Sequence, residues 1–363
     1  MGYFVPVMNA VHIGGVRLVK TEKMAEILAA LPVPVMLIGP DDKVLAANDP
    51  VAAILGPHLL GNHYITAVRQ PAIIAAIAET RADSAPRVTR FTGRDGPRDT
   101  VYRVAVAVAG DDIALTFEDQ TAAEAAGQMR RDFVANVSHE LRTPLTALLG
   151  FIETLNGAAR DDPQARERFL GIMANEANRM TRLVDDLLSL SRVEEEERVR
   201  PRDPVDLGPL LASVIKGLEP QAQAASVAVT LDQGANSTFV PGDAGQLVQV
   251  FTNLIENGIK YGAAGGLVTV MLKPPAMNTR LRSEAVQVIV FDTGDGIAAH
   301  HIARLTERFY RVDNHRSREV GGTGLGLAIV KHIINRHRGR LLIKSAENQG
   351  TQVSVFLPTS TPS

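Results

Sequence analysis

At 363 residues the chain is long enough for two or three domains, and a hydrophobic share of 45% is that of an ordinary globular protein. Lys and Arg number 38 against 40 for Asp and Glu, so no global field points to nucleic acid or an anionic membrane as the main partner. Cysteine is absent, which excludes disulfides, thiolate zinc sites, cysteine nucleophiles and a flavin trapped through a cysteine.

No apolar run approaches the roughly 18 residues that a membrane helix needs. The stretch from Tyr3 to Val16 is interrupted by Pro6 and Asn9 and lacks the basic flank of a signal peptide. The chain is therefore expected not to span a membrane as written and to be cytoplasmic, with residues 1–20 unassigned. From Thr21 the pattern predicts a helix over Lys23 to Leu31, strands at Pro34 to Ile38 and Lys43 to Ala47, and helices around Pro50 to Leu55 and Pro71 to Glu79. Strands near Arg87 to Thr92, Val101 to Val108 and Ile113 to Glu118 follow, separated by glycine-rich turns. This order resembles a PAS sensor domain, and Asp119-Gln-Thr121 resembles the Asp-x-Thr signature that closes such domains before a signalling helix.

Helical periodicity then takes over. Val134, Val137, Leu141, Leu145, Leu148, Ile152 and Leu155 recur at steps of three and four, which makes one apolar seam. Gly157 to Pro163 breaks it, and a second helix from Gln164 carries Phe169, Met173, Ala177, Met180, Val184 and Leu187 at the same steps. Two long helices joined by a short connection predict an antiparallel hairpin. Such a hairpin cannot bury its stripe alone, so a four-helix bundle made by two chains, a homodimer, is expected. Glu194 to Glu197 followed by Arg198, Arg200 and Arg202, with Pro201 and Pro204, read as a helix end and linker. Beyond it an α/β domain is expected: a helix over Val205 to Leu218, strands at Val227 to Leu231, Val286 to Phe291 and Thr351 to Leu357, and a surface hairpin or loop from Lys273 to Ala285.

Four constellations carry chemistry. In Ser138-His-Glu-Leu-Arg-Thr-Pro144 the apolar seam lies nearly opposite His139, which places the imidazole in solvent. A ring nitrogen there can attack a phosphoryl group if a base takes its proton, and Glu140 is the adjoining carboxylate. Thr143 shares the exposed face one turn on and suits a water or phosphoryl during hydrolysis. Pro144 should remove a backbone donor, clash with the Glu140 carbonyl and bend the helix. The second constellation is Asn253, Asn257 and Lys260 on one helical face, with Tyr261 next to it: amide oxygens for Mg²⁺ and a lysine for phosphate. The third, Asp292-Thr-Gly294-Asp-Gly296, follows a strand and offers a carboxylate to an exocyclic amine such as that of adenine. The fourth, Gly321-Gly322-Thr323-Gly324-Leu325-Gly326, opens a helix running through His337 and leaves amide donors for phosphate oxygens. It is neither a Walker loop nor a dinucleotide fingerprint. Each of the last three alone is an ordinary polar helix face, turn or glycine cluster; the order of all four is what is specific.

With those residues in place, residues 120 to 358 resemble a two-component sensor histidine kinase. Glu307-Arg-Phe309-Tyr-Arg311 matches the family's phenylalanine box, and Gly350-Thr351 its last glycine element. The resemblance implies a multidomain α+β fold: a PAS-like α/β sensor domain over 21–119, a dimeric four-helix-bundle phosphotransfer domain over 120–200, and an α/β sandwich of Bergerat type over 201–359. It implies that His139 is phosphorylated from ATP, that Glu140 is its acid/base neighbour, and that Thr143 serves phosphatase action. It further implies that Asn257, assisted by Asn253, ligates Mg²⁺, that Lys260 and Tyr261 line the phosphates and nucleoside, and that Asp292 binds the adenine amine. Arg311 would meet the γ-phosphate, Phe309 belongs to its box, and Gly322, Gly324 and Gly326 would close the base of the lid. An amide at Asn253, where related ATPases of the fold hold a water-activating Glu, fits a kinase that spares ATP until His139 arrives.

The implied partner is a response regulator carrying a receiver aspartate, since the chain has no receiver of its own; no direct nucleic-acid contact is expected. Arg131-Asp-Phe-Val-Ala-Asn-Val-Ser-His139, joined directly to the sensor segment, is most similar to phosphate-regulon sensor kinases. Members of that group commonly carry membrane helices before the sensor, so either the true start lies upstream, the chain is trimmed, or it is a soluble variant. A dimeric nucleotide-binding scaffold without chemistry is the alternative reading, opposed by the intact His139, Asn257, Lys260 and Asp292. A phosphatase-dominant switch acting through Thr143 is a third. His58 and His63 do not read as haem ligands, because nothing near them builds a cofactor pocket. Gly258 stands inside a helix where the family more often has alanine.

Overall fold

A computed structural model describes residues 26–359 apart from 97, 197–198, 235–237, 263–265 and 313–321. The unassigned segment 1–20, the start of the helix expected from Lys23, the linker residue Arg198 and the motif residue Gly321 lie outside the described residues. The chain divides into two compact units, residues 1–134 and 135–363. Among the described residues no helix is long and apolar enough to cross a membrane.

In the first unit a short helix over 26–29 (α1) precedes β1 (Val35–Ile38) and β2 (Val44–Ala47). Three helices follow, α2 (Asp49–Leu55), α3 (Tyr64–Ala67) and α4 (Pro71–Asp83), and then β3 (Arg87–Asp95), β4 (Arg98–Ala109) and β5 (Asp112–Asp119). The strands make one antiparallel sheet in the order β2-β1-β5-β4-β3. The two-residue period decides which side chain goes where. Met36 and Ile38 enter a core with Val51, Ile73, Ile77, Val104, Val106, Leu115 and Phe117, while Val35 and Leu37 enter a smaller cluster with Leu28 and Ala46. Buried Asn48 joins the two: its Oδ1 accepts from the Val35 and Val51 amides, and its Nδ2 donates to the carbonyls of Leu28, Leu31 and Val33. At the unit's end the Thr121 amide donates to Asp119 Oδ1 (2.8 Å), and Thr121 Oγ1 accepts from the Val101 amide (2.9 Å). Hydrogen bonding from Thr121, its side chain first and its amide second, holds the Asp119 carboxyl below its usual range.

Helix α5 (Thr121–Asn156) stays helical through Pro144, whose ring is buried. Gly157 to Asp162 connect it to α6 (Pro163–Glu196), and Phe151 stacks on Phe169 with ring centroids 5.3 Å apart. Leu145, Leu149, Ile152, Leu170, Val184 and Leu188 all stay exposed, an apolar stripe that this single chain leaves uncovered. The buried residues of α6 are instead Leu183, Leu190 and Val193, a second apolar face outside the expected seam.

The remaining elements are β6 (Asp203–Asp206), α7 (Leu207–Ala224), β7 (Ala228–Gln233), β8 (Phe239–Gly242), α8 (Ala244–Tyr261), β9 (Leu267–Asn278), β10 (Ser283–Asp292), α9 (Ala299–Ile302), α10 (Gly326–Arg336), β11 (Arg340–Ser345) and β12 (Thr351–Pro358). A mixed sheet runs β11-β12-β10-β9-β7, parallel only between β7 and β9, with α7, α8 and α10 contributing the apolar faces that cover it. One expectation needs correction. Val205 does not begin a helix; it is buried in β6 opposite Val240, and α7 starts at Leu207 because the Asp206 carboxylate accepts from the Gly208 amide (3.2 Å) and caps it. Of the two readings of Lys273 to Ala285 the structure has the hairpin, because β9 continues to Asn278 and pairs antiparallel with β10 down to Ser283. Gly258 now has a reason: a Cβ there would lie 3.1 Å from both γ-carbons of Val268.

Candidate active site

Helix α8 supplies one wall. Asp243 caps its start by accepting from the Gln246 amide (3.1 Å), and Leu247, Val250, Phe251, Leu254, Ile255 and Ile259 bury its apolar stripe. With that stripe held down, Asn253, Glu256, Asn257, Lys260 and Tyr261 line a cavity of about 460 Å³. Lys260 Nζ lies 3.0 Å from Glu256 Oε2, and Asn253 Nδ2 donates to the Gly326 carbonyl (3.4 Å), leaving its Oδ1 as an acceptor.

The end of β10 brings Asp292 to the same cavity. Burial pushes its carboxyl above the ordinary range, opposed by a hydrogen bond accepted from the Gly294 amide (3.0 Å). The glycines after it are dictated by neighbouring backbone. A Cβ on Gly294 would lie 2.3 Å from the Tyr261 carbonyl oxygen, and on Gly296, at φ +70°, 1.9 Å from that of Ala346.

The far wall comes from the segment before α10. Arg311, Gly322, Thr323, Gly324 and Gly326 line the cavity. Arg311 Nη2 donates to the Gly322 carbonyl, and the Phe309 amide donates to the Gly324 carbonyl (2.9 Å). Gly294, Phe309 and Leu325 do not line the cavity: Gly294 packs on Tyr261, Phe309 holds a left-handed backbone at φ 63° against Gly324, and Leu325 is wholly buried ahead of α10.

His139 is exposed on α5, as the wheel predicts, and Thr143 beside it is exposed too. The Thr143 hydroxyl donates to the His139 carbonyl (3.2 Å). Glu140 faces inward and ties three elements together. Its Oε2 lies 3.2 Å from Arg179 Nη2 of α6 and 3.4 Å from Arg311 Nη2 of the cavity wall. The residue adjoining the candidate nucleophile therefore touches the wall of the candidate nucleotide site.

Several members of this arrangement escaped sequence reasoning. Arg182, Asp185 and Asp186 of α6 line the cavity, and Asp186 Oδ2 accepts from Thr323 Oγ1 at 2.6 Å. Burial raises the Asp186 carboxyl above its usual range, with the Thr323 bond and the Lys260 charge opposing. Helix α6 docks through further polar contacts: Ser189 with Gln249, Arg308 and His332 with Glu194, and Arg336, which donates to the Glu196 and Val199 carbonyls at the helix end. The available signal was the step of four from Arg182 to Asp186, a polar stripe beside the apolar seam.

Comparison with known proteins bears on both halves of this site. Residues 129–196 match the profile of the His Kinase A (phospho-acceptor) domain, and residues 242–361 that of the histidine kinase-, DNA gyrase B- and HSP90-like ATPases. The sensor protein kinase WalK of Staphylococcus saprophyticus is 38% identical over 240 residues, 66% of this chain and 38% of that protein. The phosphate regulon sensor protein PhoR of Pseudomonas aeruginosa is 40% identical over 237 residues, 65% of this chain and 52% of that protein. The chain thus spans about half or less of the length of these relatives. In fold it is similar to the histidine kinase ThkA, solved in complex with the response regulator TrrA, at 20% identity and a TM-score of 0.52 over 92% of this chain and 98% of that one.

Proposed function

The chain belongs to the two-component sensor histidine kinases, and from that premise we propose that it moves the γ-phosphoryl group of ATP to His139 and from there to an aspartate of a separate response regulator. One observation carries the reading: Glu140, next to the exposed His139, lies 3.4 Å from Arg311 on the wall of a 460 Å³ cavity lined by Asn253, Asn257, Lys260 and Asp292.

The residues divide the work by chemistry. Asp292 accepts from the adenine amine, a role that draws on its ionised form. Lys260 and Arg311 answer phosphate charge, and Arg311 already touches the residue beside the acceptor. Glu140 takes the ring proton as a nitrogen of His139 bonds to phosphorus and the bond to the bridging oxygen of ADP breaks. Thr143, exposed one turn from His139, serves the reverse hydrolysis of the regulator. A magnesium ion fits the donor set: among the described residues no three His, Cys, Asp or Glu side chains gather to hold a metal alone, while the amide oxygens of Asn257 and Asn253 with phosphate oxygens suit a hard cation. It would neutralise phosphate charge when bound.

The uncovered stripe from Leu145 to Leu188 supports a homodimer of hairpins. The strand order of the first unit and the Asp119 to Thr121 junction support a PAS-like sensor ahead of α5. Phosphate-regulon signalling rests on the Arg131 to His139 junction and the Pseudomonas relative; the WalK relatives are similar to a like degree, so transfer rates to purified regulators decide the cognate one. The test of the whole reading is label from γ-labelled ATP. It should be acid-labile and base-stable, and absent from His139→Gln; label that survives this substitution, or none in the unaltered chain, would leave only the scaffold.

A further inference from the structure

The hairpin places two carboxylates at one end of the nucleotide cavity. Glu140 of α5 lies against Arg311, and Asp186 of α6 accepts a 2.6 Å hydrogen bond from the Thr323 hydroxyl. Arg311 and Thr323 belong together, because Arg311 also bonds the carbonyl of Gly322, the residue before Thr323. This is the end of the cavity nearest His139, since Glu140 adjoins it. On the function proposed above, the phosphoryl group that His139 attacks has to come to this same place. Asp186 is half-buried there, with Lys260, Glu256 and Arg182 as its charged neighbours. A carboxylate and a terminal phosphate in one low-dielectric corner repel, and the bond to Thr323 gives Asp186 a polar partner that phosphate oxygens would also seek.

We propose that Asp186 discriminates between nucleotides: while bonded to Thr323 its carboxylate holds the place of the γ-phosphate, so that ATP must expel it from Thr323 while ADP need not. The inference rests on the kinase reading. Its consequence is that the phosphotransfer helix α6 is released from Thr323 by the nucleotide that can phosphorylate His139 and stays held with the nucleotide that cannot.

The test is titration calorimetry of the full chain with the β,γ-imido analogue of ATP and with ADP, each with magnesium. Asp186→Asn keeps the shape and can still accept from Thr323, but carries no charge. It should tighten the ATP analogue by roughly tenfold, a like-charge effect between the water and protein-surface limits, and change ADP by less than about twofold. Asp186→Glu should keep the unaltered ratio. Equal tightening of both nucleotides would reduce Asp186 to general electrostatics and overturn the proposal; weaker analogue binding would make Asp186 a ligand of the metal or phosphate and overturn it equally. Carbodiimide modification of Asp186 in the unaltered chain, read by mass spectrometry, needs no variant: it should rise with the ATP analogue and not with ADP, and an equal response contradicts the idea. A labelled His139 beside an unchanged nucleotide ratio would sink this inference alone, whereas a chain that binds neither nucleotide sinks the kinase reading as well.

Discussion

Glu140 and Arg311 belong to different halves of the catalytic arrangement, yet each is the other's partner. The Arg311 side chain is 6% exposed and that of Glu140 22%, so the pair is shielded enough for removal of one partner to strand the other. Arg179, 13% exposed and also against Glu140, keeps the carboxylate compensated when Arg311 turns to phosphate. Both contacts are made by one nitrogen, Nη2, whose two hydrogens let a single residue serve Glu140 and the Gly322 carbonyl. Two predictions belong at this scale. Asp292→Ala removes a half-buried acceptor and should cost about 1.5–3 kcal/mol of nucleotide binding, roughly ten- to a hundredfold in Kd, measured by calorimetry with the imido analogue. Thr143→Ala should leave labelling of His139 within about twofold while slowing dephosphorylation of the regulator by roughly tenfold or more, the scale of one positioned catalytic group; an unchanged phosphatase rate would remove Thr143 from that role.

Among the elements, α8 and α10 are locked together by His337. It is fully buried, its Nδ1 donates to the Ile333 carbonyl (2.8 Å), and its Nε2 accepts from the Asp243 amide (3.0 Å) at the start of α8. Burial lowers its pKa from 6.5 and Arg336 and Arg200 add to that, while the hydrogen bond to the Ile333 carbonyl and the charge of Asp243 oppose. A depressed histidine favours the folded state above the ordinary value, and that contribution drains as pH falls below it, because the unfolded chain takes up a proton that the folded one refuses. The unfolding midpoint of the unaltered chain should therefore exceed that of His337→Gln at about pH 7.5 and lose much of that lead by about pH 5.5. A lead that holds constant, or grows, would mean that His337 is not buried neutral.

The elements also show what sequence reasoning reaches. Helix α8 and the strands β4 and β5 were legible because each buries one face and so writes its period into the chain, α5 and α6 because an apolar stripe recurs at helical steps, and β1 and β10 as short apolar runs. Short β6 and β8 were not, since four residues containing Pro204 or Pro241 carry no period, and Asp206 acts as a cap only once Val205 has paired with Val240. The cavity's α8, β10 and glycine-rich walls were legible as motifs. Arg182 and Asp186 were not, because on an isolated helix wheel they sit on a polar flank, and only the docking of α6 through Leu183, Leu190 and Val193 turns that flank toward the cavity.

For the whole molecule, the two faces of α6 pose one question of assembly. One face is buried within the chain, and the other joins Leu145, Leu149 and Ile152 of α5 in a stripe with nothing over it. Exposed apolar stripes of this length mark interfaces. Sedimentation should show a dimer, and Leu145→Glu combined with Leu149→Glu should give a monomer; a monomeric unaltered chain would leave the stripe without its expected cover.

The measurement that bears most directly on the account is where the phosphoryl group resides. After incubation with ATP and magnesium, peptide mapping under neutral conditions should find one phosphoramidate, on His139, in the unaltered chain, and none in Asn257→Ala, where His139 is intact but the cavity has lost an amide oxygen. A phosphoryl group on any other residue, or an undiminished one on His139 in Asn257→Ala, would contradict the claim that this cavity feeds that histidine.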